Sequence, residues 1–433
     1  MRVLPAIGTR AGSAGDGPCR RSHFRLVRRW WFLLVLLGLT GGAAIVARPH
    51  LRAWYYRRAA RLESQRYHNG QAIRHLLICR EIWPRDPEVL LLAARAARRA
   101  QVYGDADRLL KIYREVRGRD EAHTFEQLLL AAECRVDTYS EECWKCVEQG
   151  RFDEQLLMEA LTRGYLRQYR LGQARMCLDR WKEVHPDNPQ IYYLEGLFNL
   201  DYLHAMSTAA DSYRHALELD PDHEEAHLGY AVALLEGKNY VEAGKHFDRL
   251  LQIQPENLRV QVGLAECLEG QGETAEAERI VDEVLAQQPQ FASALSLRGQ
   301  FALKKGQWAE AATALRQALR GNPLDHRARY SLIRCLEQNG QEEEAQQQHR
   351  QLQQLEEDTA RFHDIVTKEI AQRPHDPALH YTLGKLFLRV GQREEGIRWL
   401  HSALSLDPNY APARQMLAEY QSQAKGETQL SSP

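Results

Sequence analysis

The 433-residue chain has only 28 Gly and 16 Pro, too few for a collagen-like or low-complexity polymer. It has no excess of basic charge. Its 57 Lys and Arg balance 58 Asp and Glu to a net charge of −1, so the whole chain does not read as a nucleic-acid binder. Eight cysteines in so long a chain do not make a disulfide framework. There is no P-loop, no G-x-S-x-G and no G-x-G-x-x-G after a strand. The apolar fraction of 44% and charged fraction of 27% argue against global disorder and against a multi-span membrane protein.

One long apolar run is present. Between Arg29 and Arg48 lie 18 uncharged residues, WWFLLVLLGLTGGAAIVA. At about 1.5 Å per residue they reach roughly 27 Å, near a bilayer's hydrocarbon thickness. Trp30 and Trp31 stand at one end, and Trp54, Tyr55 and Tyr56 beyond the other, where aromatic rings favour the interface. The run predicts a transmembrane helix over 30–47 after a basic tail, 1–29. A buried helix and a cleaved signal peptide, with Gly42-Ala43-Ala44 as its small residues, are the alternatives. Arginines flank both sides almost equally. The short basic tail favours a cytoplasmic amino terminus and an extracytoplasmic body.

Charge is unevenly spread. Residues 1–119 carry 24 Arg and Lys against 8 Asp and Glu. Arg95, Arg98 and Arg99 are expected on a basic face close to the membrane. Such a face is either simply solvated or in contact with anionic headgroups, at about 1 kcal/mol per basic group. Nucleic acid is a weaker third choice for this face and is not expected as a partner, since no aromatics interleave and the remainder is acidic.

The body repeats itself. Pro255, Pro289 and Pro323 are 34 residues apart, as are Ala243, Ala277, Ala311 and Ala345. Phe247, Val281 and Leu315 keep the spacing, as do Ala231, Ala265, Gly299 and Ile333, and Gly272, Gly306 and Gly340. Within Ala226–Pro255, Leu228, Ala231, Val232 and Leu235 form one helical stripe, and Ala243, Phe247, Leu250 and Leu251 another. Pro255 stops the second helix. Each unit is a helical hairpin that buries its apolar face only by stacking on neighbours.

This pattern resembles the tetratricopeptide repeat (TPR) family, with Ala231, Ala243, Phe247 and Pro255 on its framework positions. Gly384, Gly396, Leu400, Ala403 and Pro408 repeat the framework, as do Ala209, Tyr213, Ala216 and Pro221. The resemblance implies an all-α, TPR-type α-solenoid, a right-handed superhelix of helical hairpins preceded by one transmembrane helix. It is degenerate over 51–187 and well matched over 188–358. Pro323 to Pro374 spans 51 residues, half a unit too many, which predicts an inserted helix and turn over 359–376. A last repeat and capping helix are expected over 377–422, and a disordered tail over 423–433.

In that family first helices line a partner-binding groove. Carried over, the groove comprises Leu228, Val232, Leu235, Arg259, Val262, Glu266, Glu269, Gln300, Lys304, Arg327, Tyr330, Arg334, Tyr381, Lys385 and Arg389. The alternative for each is plain solvation. The implied function is a membrane-anchored scaffold, not an enzyme, that holds a protein or peptide partner. A structural subunit of an envelope export or assembly complex is the second reading.

Two short patterns offer chemistry instead. Cys143-Trp144-Lys145-Cys146 is a C-x-x-C, but its flanks are helical and no second such pair exists to complete a zinc site. Two small buried residues one turn apart is the simpler account. His223-Glu224-Glu225-Ala226-His227 matches H-E-x-x-H. It falls at a repeat junction, with Asp222 as a natural N-cap, and lacks an obvious third ligand. No catalytic residue, cofactor or metal is expected.

Overall fold

The computed structural model describes residues 47–430. The expected basic tail and transmembrane segment lie outside the described residues, save Ala47. Among the described residues no helix is long and apolar enough to cross a membrane.

The described chain is a series of antiparallel helix pairs with no strand among the described residues. Ten hairpins follow one another. The first pairs helix 47–65 with Asn69–Ile82. The second pairs Pro87–Arg99 with Tyr103–Arg117, the third Glu121–Cys134 with Val136–Glu148, and the fourth Glu154–Arg167 with Leu171–Val184. The fifth pairs Pro189–Leu197 with Met206–Leu219, the sixth Glu224–Glu236 with Tyr240–Ile253, and the seventh Leu258–Gln271 with Thr274–Gln287. The eighth pairs Ala292–Lys304 with Trp308–Gly321, and the ninth His326–Gln338 with a helix from Glu342. The tenth pairs Pro377–Arg389 with Arg393–Leu406.

The repeat tracks are the core. Ala231, Ala265, Ala243, Ala277 and Ala311 are fully buried, and so are Val281 and Leu315. Phe247 is 2% exposed. The small residues let helices touch, and Phe247 fills the gap against the next hairpin, where Gly263 makes room for it. A Cβ at Gly263 would stand 2.6 Å from the Phe247 ring.

Two local devices set the turns. Between the helices of a hairpin the chain passes through the left-handed region, at Gly272, Gly306, Gly340 and Gly391. The same site is occupied by Tyr67, Gln101, Tyr169, His204 and Lys238, all at positive φ. Hairpin three lacks it, because a single residue, Arg135, joins its helices. Most first helices start from side-chain caps, hairpin eight at Phe291 being an exception. Asp86, Asp120, Asp153, Asn188, Asn257, Asp325 and Asp376 accept backbone N–H groups of the first turn. Tyr169 and His204 are 35 residues apart. The π-helical turn Phe198–Tyr202 absorbs the additional residue.

The half-unit insertion does not make a helix of its own, contrary to the expectation for 359–376. Helix Glu342–Asp364 continues through the π-helical turn Ile365–Glu369 to Gln372. No Gly or Pro lies between Gly340 and Pro374 to stop it. The capping helix is also longer than 411–422. It runs Ala411–Leu430, so most of the tail expected to be disordered is helical.

The array folds back on itself twice. Hairpin one leans on hairpins five and six, where His68 reaches Asp220 at 2.8 Å, Asn69 reaches Glu225 at 3.0 Å and Arg74 reaches Glu224 at 3.1 Å. Hairpin four meets hairpins nine and ten, where Tyr169 packs with Phe362, Phe387 and Trp399.

Candidate functional site

The concave face is located by an ion pair. Arg327 of hairpin nine lies 3.0 Å from Glu236 of hairpin six. A bond across 91 residues, linking first helices three hairpins apart, means that the array curves towards this face. First helices therefore line the inside here.

The carried-over groove residues divide into three groups. Leu228, Val232 and Leu235 are half-buried against the Phe247 core. Val262 is not a groove residue: it is 2% exposed and packs with Ala265, Ala277 and Val281, since the stacking of hairpin eight covers it. Arg259, Lys304, Arg327, Tyr330, Arg334, Lys385 and Arg389 are exposed, while Glu266, Glu269, Gln300 and Tyr381 are half-buried. Arg389 pairs with Asp358 of the long helix, and Tyr381 faces Tyr410 with centroids 5.8 Å apart.

The exposed group has a centre. Tyr330 is 57% exposed. Arg327 and Arg334, three residues before it and four after, share its helical face. Lys304 pairs with Glu269. Burial, opposed by Arg327 and aided by Glu236, pushes the Glu266 carboxyl up to about 7. These positions thus bring together cations, an aromatic ring and an acid poised near neutrality.

The arginines expected at the lipid surface are elsewhere. Arg98 is 1% exposed and Arg99 4%. Arg98 pairs with Glu133, and Arg99 with Glu159 at 2.8 Å. Arg95 pairs with Glu126. Burial raises the Glu159 pKa, but Arg99, Arg98 and Arg163 outweigh it and hold it down at about 2. Arg98 and Arg99 cannot reach headgroups because they are interior charges, neutralised by carboxylates 35 and 60 residues away.

The two short patterns are occupied by structural work. Cys143 is fully buried and Cys146 is 5% exposed. Burial pushes the Cys143 thiol up to about 12 and raises that of Cys146. His223, not Asp222, is the N-cap of hairpin six. Its Nδ1 accepts the Ala226 N–H at 3.2 Å, and its Nε2 stands 3.1 Å from Gln190 Oε1. Burial pushes it down to about 3. His227 Nδ1 lies 2.7 Å from His246 Nδ1, and its Nε2 3.0 Å from the Pro221 carbonyl. Both rings have spent their nitrogens, and Glu224 holds Arg74. Among the described residues no three His, Cys, Asp or Glu are grouped to hold a metal.

The His227 contact recurs as a clamp. Side chains six residues after the inter-hairpin proline bond its carbonyl: Tyr192 to Pro186, Arg329 to Pro323 and His380 to Pro374. Sequence reasoning missed this clamp, because the position holds Tyr, His, Gln or Arg from hairpin to hairpin. It also missed a cleft of about 790 Å³ beneath hairpin one, walled by Arg66, Arg95, Asp153, His185, Asp187 and Asp220.

Family models described as tetratricopeptide repeat match residues 207–257, 234–301 and 297–349. Interferon-induced protein with tetratricopeptide repeats 3 of Mus musculus is 32% identical over 126 residues, covering 28% of this chain and 31% of that protein. The chain therefore spans less than a third of that curated relative. Among solved structures, the APC/C hetero-tetramer Cut9-Hcn1 is similar at 12% identity, covering 92% of this chain and 94% of that one, with a TM-score of 0.40. PilW, a type IV pilus biogenesis factor, is similar at 17% identity over 61% of this chain and 98% of its own, with a TM-score of 0.35. Residues 207–349 are therefore similar to tetratricopeptide repeats by those family models, and the described residues form an all-α solenoid of paired helices.

Proposed function

We propose that the chain is a non-catalytic scaffold that holds a protein or peptide partner on its concave face. It is anchored to a membrane through residues 30–47, with its body on the extracytoplasmic side. The observation that carries the binding role is Tyr330, an exposed aromatic ring flanked by Arg327 and Arg334 on the inside of the curve. Tyrosine and arginine, with tryptophan, are enriched among residues that dominate interface energy. The anchor rests on the 18 uncharged residues after Arg29.

The test is affinity purification of the full chain from solubilised membranes, followed by mass spectrometry, with Tyr330→Ala in parallel. A protein held by the wild type should fall by about tenfold or more in the variant, as expected for an aromatic anchor. Tyr330 is exposed, so the fold should survive. Identical proteins held equally by both chains would overturn the groove as the binding face, and favour a structural subunit of a fixed membrane complex.

A further inference from the structure

Helix 47–65 of hairpin one has two unlike sides. On the inner side Ala53 and Ala60 are fully buried, and Arg57 pairs with Asp86 at 2.9 Å. The outer side is apolar yet bare. Leu51, Trp54, Tyr55 and Leu62 are 66%, 50%, 64% and 47% exposed. Their spacing places them on one stripe of the helix. The other large apolar side chains exposed among the described residues are spread over seven further helices and turns, none with a comparable stripe.

Every charged side chain on this helix but one is an arginine. Arg48, Arg52 and Arg58 are exposed and have no carboxylate partner among the described residues. Glu63, the one acid in 47–65, is turned to His68 at 2.7 Å. Arg58 lies four residues after Trp54 and three after Tyr55, on the stripe itself. The surface facing outward is therefore aromatic, aliphatic and cationic.

What covers it follows from the chain. The uncharged run ends at Ala47, four residues before Leu51, about 6 Å along a helix. Whatever that run enters lies beside the stripe. Tryptophan and tyrosine favour the headgroup level of a bilayer, and arginines favour anionic lipids. We infer that the outer stripe of helix 47–65, Leu51, Trp54, Tyr55 and Leu62, lies in the headgroup layer of an anionic membrane. Hairpin one is then a foot that sets the orientation of the array. This rests on the proposal that residues 30–47 enter the bilayer.

The experiment uses the full chain with Cys19→Ser and Cys134→Ser, reconstituted into vesicles containing anionic phosphatidylglycerol. Fluorescent labels go on Leu51→Cys, Tyr55→Cys, Leu62→Cys and, as a control, on the exposed Arg108→Cys of hairpin two. Nitroxide lipids should dim the first three severalfold more than the control, and iodide in the water should dim them less. Arg48→Gln, Arg52→Gln and Arg58→Gln together should return the labels to water, each arginine having contributed about a fivefold preference. Carbonate extraction reads the anchor separately. Labels at 51, 55 and 62 that iodide reaches as fully as 108, in a chain that resists carbonate, would sink the foot and leave the anchor standing. Labels dimmed by lipid in a chain that carbonate releases would sustain the foot and remove the anchor. Labels shielded from both quenchers would mean that protein covers the stripe, and the proposal would fall.

Discussion

The ring of Tyr169 lies 6.0 Å from that of Trp399, centroid to centroid, across 230 residues of chain. Tyr169 sits at a left-handed turn with φ 56°. The turn thrusts its side chain out of hairpin four into the apolar cluster of Ile365, Leu383, Phe387 and Trp399. A repeat array normally holds only neighbour to neighbour. Here Tyr169, with Arg398 donating to the Arg167 carbonyl at 3.1 Å, joins the middle of the array to its end.

Tyr169→Ala should open that contact. A loss of about 1–3 kcal/mol is expected for a side chain packed on one cluster. The radius of gyration from small-angle scattering should rise, and the hairpin-ten amides should exchange faster. Unchanged scattering and melting would mean that the contact does not bind the array together.

Phe247→Ala should cost about 3–5 kcal/mol, since it empties a buried site. Damage should stay near hairpins six and seven and show there in hydrogen exchange. Gly263→Ala alone should also destabilise, by about 1–3 kcal/mol, because its methyl meets the Phe247 ring. Combined with Phe247→Ala it should cost far less. A strictly additive double mutant would refute the packing.

Stability should peak near pH 6.5–7 and fall on both sides. Burial alone would lower the His68 pKa, but bonds from Asp220 and Glu63 outweigh it and hold it up at about 9. That stabilisation is complete below pH 6.5 and vanishes as pH rises to 9, a loss on the order of 2–3 kcal/mol. Burial pushes His223 down to about 3, and His246 and His380 down to about 4. Those rings stay neutral when folded, so unfolding takes up protons and becomes favoured as pH falls from 6.5 towards 4. Denaturant titrations across pH should show both limbs. His68→Gln should flatten the alkaline limb, and His223→Asn, which keeps the cap, should reduce the acid one.

Arg98→Ala should cost about 3–5 kcal/mol, because it strands the buried Glu133 carboxylate. Replacing both with leucine should recover most of the loss. If Arg98→Ala melts like the wild type, the charges are not interior.

Cys143 should resist alkylation in the folded chain and react only after unfolding. Its thiol is fully buried and pushed up to about 12, so little thiolate is present at neutral pH. Rapid labelling in native buffer would contradict this.

The helical core was legible because small residues recur where helices touch. Ala231, Ala243 and their equivalents need nothing but their own spacing to be read. The turns of the first half were not legible, since Tyr67, Gln101 and Tyr169 take a backbone conformation that glycine announces elsewhere. The cap at His223 was hidden because histidine replaces the Asp or Asn that caps seven of the first helices. Arg98 and Arg99 misled for a physical reason. Counting charge along the chain ignores carboxylates that folding brings in from 35 and 60 residues away. The closure at Tyr169 left no local trace at all.

The unbroken helix from Glu342 to Gln372 has a geometric consequence. Its extra half-unit projects about 25 Å beyond the length of an ordinary second helix, and hairpin ten sits on that projection through Ile365, Val366 and Ile370. The projection is a swing arm. Its length sets how far hairpin ten reaches towards Tyr169, and its rotational phase sets where Trp399 aims. Deleting seven residues would shorten the arm by about two turns and nearly preserve the aim, whereas deleting five would turn the end by about 140°. The closed form of the array is therefore governed by the count of residues in one helix rather than by the repeats it joins.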